Sequence, residues 1–127
     1  MAAMPPTEVV LFADRSGRAP VLEWLDGLPE KVRLKFIERV ERLAHQGHSL
    51  RRPLAGFLRD GVYELRVRHM RVNYRLLYSF HGQRAVLCHG LTKERKVPNR
   101  AIDLAIRRRA DYRADPQTHT YREEASG

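Results

Sequence analysis

The 127-residue chain predicts one α+β domain: a small antiparallel sheet, two N-terminal helices packed on one of its faces, and a C-terminal helix, in the order β-α-α-β-β-β-α. Three observations predict it. Apolar residues recur with a helical period between Pro20 and Gly47, and the period changes to strand alternation from Val62 to Leu91. It returns to helical spacing at Ala101, Ile102, Ala105 and Ile106. A chain of this length buries about two-thirds of its unfolded surface, enough for a single core without staples. The domain is expected over residues 1–113, with 114–127 a polar, aperiodic and flexible tail.

The elements follow in order. Residues 8–13 (EVVLFA) are β-branched and apolar and run into Asp14-Arg15-Ser16-Gly17, a strand and then a turn. Pro20 opens a short helix through Val21, Leu22, Leu25 and Leu28 that stops near Gly27. Pro29 suits a first helical position, and Val32, Phe36, Ile37, Val40, Leu43 and Ala44 then mark one face of a helix closed by Gly47. Its other face, with Glu30, Lys31, Lys35, Glu38, Arg39 and Arg42, reads as solvated. Residues 62–68 and 70–80 alternate as two strands about His69, residues 81–83 turn, and residues 84–91 form a third strand, apolar on both sides. In the last helix Arg107, Arg108 and Arg109 fall in the closing turns, where they complement the helix dipole.

Charge narrows the function. Lys and Arg number 24 against 15 Asp and Glu, a net of +9, and 20 of those cations are Arg. Residues 1–50 balance to zero, whereas residues 51–113 hold sixteen cations and five anions, a net of +11. A compositional bias towards Arg would load both halves alike, so the asymmetry points to a basic surface with an anionic partner. One cysteine, Cys88, excludes an internal disulfide and a Cys-rich zinc site. The start lacks the basic and apolar regions of a signal peptide, and no apolar run is long enough to span a bilayer, so a cytoplasmic protein with no membrane partner is expected.

Alternation says where the charge points. Residues i and i+2 of a strand share a face. If Leu65 and Val67 pack against the helices, Arg66 and Arg68 project from the other side; Arg71, Asn73 and Arg75 project beside them. Only Glu64 offsets these guanidinium groups, and such a face suits a polyanion, although a merely solvated face has the same pattern. A second basic group follows the third strand: His89, Lys93, Arg95 and Lys96. Cleavage of RNA without a metal needs a base for the 2′-hydroxyl, cations for the charge of the pentavalent phosphorus, and an acid for the leaving oxygen. Crowded cations can supply these, with His89 or Lys93 titrating and Arg acting as a clamp. Cys88 and His89 adjoin on a strand and should point to opposite faces, so they form no nucleophilic pair and Cys88 reads as core. His45 and His48 lack a companion carboxylate pair, and neither a metal site nor a cofactor is expected.

The strings Val-Tyr-Glu-Leu-Arg-Val (62–67), Asn-Tyr-Arg-Leu-Leu-Tyr (73–78) and Leu-Cys-His-Gly-Leu-Thr-Lys-Glu-Arg-Lys-Val-Pro (87–98), followed by the Ala/Ile helix, resemble the RelE/ParE toxin superfamily, closest to its phage-derived HigB-like branch. The resemblance covers about residues 8–112 and implies a RelE-like fold. It implies a type II toxin: a metal-independent, ribosome-dependent mRNA endoribonuclease that blocks translation and is neutralised by a helix-turn-helix, HigA-like antitoxin. Carried over by position, it implies catalytic roles for Arg66, Arg75, Lys93, Lys96 and His89; Arg68, Arg71 and Asn73 of the outward strand face and Arg95 of the basic loop would then bind the RNA. Thr92 and Val97 stand where that branch has a Lys and a Thr. The alternatives are a ParE-like poison of gyrase and a catalytically inactive basic module for an acidic partner.

Overall fold

The computed structural model describes residues 6–92 and 95–123. Its elements are β1 (Glu8–Leu11), α1 (Pro20–Asp26), α2 (Glu30–Gln46), β2 (Ala55–Arg59), β3 (Val62–His69), β4 (Val72–His81), β5 (Arg84–Thr92), α3 (Asn99–Ala114) and α4 (Pro116–His119). The sheet order is β1-β5-β4-β3-β2. The α+β class and the helical pair on one face hold, but the sheet is mixed, because β1 runs parallel to β5 with Val9 beside Ala85. Strand periodicity is the same in either orientation, so sequence alone could not decide it.

β2 is the strand that sequence reading omits. It pairs with β3 through a two-residue turn, Asp60-Gly61, both at positive φ. An Asp-Gly pair before an alternating run is a strong hairpin signal and could have revealed it. The β3–β4 turn also differs from expectation: His69 pairs with Val72, and Met70 and Arg71 form the turn with φ of 50° and 68°. Arg71 therefore leaves the ladder on which alternation places it.

Two cores sandwich the sheet. On one face α1 and α2 bury Val21, Val32, Phe36 and Leu43 against Leu65, Val67, Leu76 and Leu87. Trp24 lies on Gly90 so closely that a β-carbon there would meet the indole at 2.2 Å, and its Nε1 donates to Thr92 Oγ1 at 3.1 Å. Ile37, expected in this core, is half exposed; the packed positions of α2 instead step through Val32, Phe36, Arg39, Val40 and Leu43. On the opposite face α3 packs Ala101, Ile102, Ala105 and Tyr112 against Val62, Leu77, Val86 and Cys88. The face expected to be open is thus half covered.

α3 runs to Ala114, so Arg107, Arg108 and Arg109 are interior to it rather than terminal. Arg108 donates to the Cys88 carbonyl at 2.7 Å, and Arg109 to the Asp60 carbonyl, stitching the helix to the sheet. The expectation of a flexible tail also fails over much of its length. α4 follows directly, His119 is buried and stacks on Phe12, and Thr120 bridges Phe12 across the edge of β1. A polar sequence folds back here because its backbone finds partners: Ala13 N–H donates to the His119 carbonyl and Tyr121 N–H to that of Leu11.

Candidate functional site

Beyond the N-terminal end of α3, the sheet keeps a charged corner. In the β3–β4 register Arg66 stands directly opposite Arg75, and Arg68 opposite Asn73. Like charges facing each other across a ladder repel. Glu64, two residues before Arg66 and on the same face, resolves this: its Oε1 accepts from Arg75 Nη1 at 2.7 Å and lies 3.4 Å from Arg66 Nε.

The two guanidiniums are not equivalent. Arg75 is 9% exposed, and its Nη2 donates to the Arg95 carbonyl at 3.0 Å, which ties the β5–α3 loop to the sheet. The Arg66 side chain keeps 38% of its surface open. Arg66 can meet a ligand as it stands, whereas the fork of Arg75 is occupied within the protein. The expectation that Arg75 projects openly from the sheet beside Arg66 is therefore corrected.

A cleft of about 370 Å³ opens at this corner, lined among others by Arg39, Arg66, Arg68, Asn73 and Arg75. Among the described residues lining it are four guanidiniums and no carboxylate. Such a cavity suits phosphate oxygens, which Arg contacts with its planar fork. Arg39 is the member that sequence reading misplaces on the solvated face of α2. Its side chain is 19% exposed and its Nε donates to the Arg66 carbonyl at 3.3 Å. The signal was present: position 39 lies three residues after Phe36 and four before Leu43, on the packed face.

The other predicted site residues scatter. Arg71 sits exposed in its turn. Arg95 and Lys96 are exposed on the β5–α3 loop, and Arg95 reaches the site through its carbonyl. Lys93 lies outside the described residues. His89 lines a different hollow with Leu91, Pro98, Arg100, Ala101, Leu104 and Arg107. The cause is a bulge: Leu77 pairs with His89 but Tyr78 with Leu87, leaving Cys88 as the extra residue. Cys88 and His89 both turn towards α3, against the alternation expected of them. They still form no reactive pair. The Cys88 thiol contacts the Val86 carbonyl and burial pushes its pKa up to about 12, while burial and then the Arg108 charge hold His89 below its usual range. Thr92, in place of a Lys, serves the Trp24 indole.

The comparisons bear on this geometry directly. The family described as phage-derived protein Gp49-like matches residues 23–110, well over half of the chain. The chain belongs to the Gp49-like family. This is a family of toxin-like proteins related to RelE- and HigB-type modules. The matched span of this Gp49-like protein runs from α1 into α3 and holds the whole charged corner. No curated protein matches the chain. Among the described residues no helix is long and apolar enough to cross a membrane, and no three His, Cys, Asp or Glu side chains are grouped to hold a metal.

Proposed function

We propose that this Gp49-like protein is the toxin of a type II toxin–antitoxin pair and cuts translated mRNA in the cytoplasm, held silent by a HigA-like helix-turn-helix antitoxin. The observation that carries the reading is the cleft at the charged corner, where Arg66 and Arg68 remain open beside a buried Arg75. In the reaction the ribose 2′-oxygen attacks the neighbouring phosphorus and the P–O5′ bond breaks. The pentavalent transition state gains negative charge, which fixed guanidiniums stabilise without reorganising. Arg66 and Arg68 hold the non-bridging oxygens, Arg39 closes the cleft from α2, and Arg75 keeps the β5–α3 loop in place. That loop presents Lys96 and the side chain of Arg95 to the RNA backbone. Phosphate contacts of this kind carry affinity with little sequence preference, which suits a substrate chosen by its presence on the ribosome.

Induced expression tests this. Growth should stop, with mRNA cut inside open reading frames when ribosomes engage it, and co-expression of the antitoxin should restore growth. Arg66→Ala should abolish cutting while changing stability by less than about 1 kcal/mol, because the contact it loses is the longer, more open one and Glu64 keeps its bond from Arg75. Intact mRNA with broken chromosomes would instead place the target at gyrase.

A further inference from the structure

Glu64 is the anomaly of the basic face. It is the one acidic residue of β3 and is 5% exposed. Both cationic contacts fall on one of its oxygens, Oε1, while Oε2 is buried and has no hydrogen-bond partner among the described residues. A carboxylate can offer both oxygens to one guanidinium fork. Here the Arg75 fork is divided between Glu64 and the Arg95 carbonyl, so geometry leaves the second oxygen over. A buried polar atom without a partner is costly and uncommon, and a catalytic role is one reason to keep it. Directly across from Glu64 on β2 stands Gly56; a β-carbon there would be 4.0 Å from Oε1 and 3.8 Å from Arg52 Nε, so this flank, on the Oε1 side, is bordered by a further guanidinium.

We infer that Glu64 Oε2 is the proton acceptor for the ribose 2′-hydroxyl; this rests on the cleavage reaction proposed above. Oε2 takes the 2′-hydroxyl proton as the O2′–P bond forms. The P–O5′ bond breaks with its electron pair going to O5′, which takes a proton from solvent water. The hydroxide left behind removes the proton from Glu64, so one proton passes in net from O2′ to O5′ and the products are a 2′,3′-cyclic phosphate and a 5′-hydroxyl. Arg66, on its longer and more open contact to Oε1, swings to the arriving phosphate and opens an approach to the carboxylate, while Arg75 stays fixed on Oε1. The charges then move together: as Glu64 becomes neutral, Arg66 is released to the phosphate that has just gained charge, while Arg75 keeps its bond to the Arg95 carbonyl. None of His89, Arg95 and Lys96 offers a carboxylate there, and His89 faces α3.

The test compares purified wild-type protein with Glu64→Gln and Glu64→Asp on ribosomes translating a defined mRNA, following cutting in single turnover. Binding is measured separately on the same mRNA carrying a 2′-deoxy nucleotide at the cut. Glu64→Gln keeps an acceptor for Arg75 and removes the base, so cutting should slow by about 10²- to 10⁴-fold with binding changed by less than about threefold. Glu64→Asp keeps the charge needed for folding but withdraws the oxygen by about one bond length, and should slow cutting by at least roughly tenfold at equal binding. Should Glu64→Gln fail to fold, Glu64→Asp decides. Cutting at the wild-type rate by a folded variant, or equal losses of binding and cutting, overturns the assignment of Glu64 and leaves the nuclease reading standing. Failure of the wild-type protein itself to cut overturns both.

Discussion

β3 and β4 each cross two different environments on the face that carries α3. At one end Val62 and Leu77 lie fully buried beneath α3; a few residues along the same strands, Glu64, Arg66, Arg68, Asn73 and Arg75 form the charged corner. The covered half is held by apolar contact, whose strength depends on area and shape and tolerates similar residues. The charged half is held by one carboxylate oxygen shared between two guanidiniums. A network of that kind is costly to break at its buried members, Glu64 and Arg75, because losing either strands the other as a buried charge. The lesson is that α3 ends where the charge begins: the helix protects the scaffold and leaves the corner accessible.

Three changes probe that contrast. The largest effect is expected for Arg75→Ala, which leaves the buried Glu64 only the longer Arg66 contact and unties the β5–α3 loop; it should cost about 3–5 kcal/mol in chemical denaturation. A loss below about 1 kcal/mol would show the corner to be merely a solvated surface. Leu77→Ala, in the covered half, should cost about 3 kcal/mol by creating a cavity, lowering the melting temperature by roughly 10 °C. The folded fraction should keep most of its cutting rate, because Leu77 does not line the cleft; as Leu77 faces Glu64 across the β3–β4 ladder, a larger rate loss would mean that the two halves are coupled through that pair. The smallest effect concerns His89, at the border. Burial and Arg108 lower its pKa in the folded state, so the unfolded chain binds a proton first as pH falls below about 6.5. Stability should decline there by a few tenths of a kcal/mol, discounted because the ring is only half-buried. Denaturation at pH 7.5 and 5.5 should show the decline in the wild type and less of it in His89→Gln.

Much of this molecule was legible beforehand. The helical pair, the β3–β4–β5 meander and the side of the sheet on which Arg66 and Arg75 project all followed from periodicity, because period two and period 3.6 select faces without further information. The site was legible only in part. That Arg66 and Arg75 share a face was readable; that Arg75 is buried was not, since burial depends on the loop carrying Arg95 and on the placement of Glu64. His89 was misplaced by a bulge, a one-residue event that alternation cannot register. Arg39 was misplaced because its charge outweighed its position on the packed face of α2.

The amino-acid sequence by itself determined the elements other than β2 and α4, the concentration of cations after residue 50 and the strings that mark a toxin-like family, since these are local or additive properties of the chain. Tertiary structure alone decided the parallel seating of β1 on β5, the return of residues 116–121 to the edge of β1, and the division of one sheet face into a covered core and a charged corner. Each of those depends on which distant segments meet. That choice is settled by shape and by the pairing of buried polar groups across the whole fold, and no local pattern encodes it.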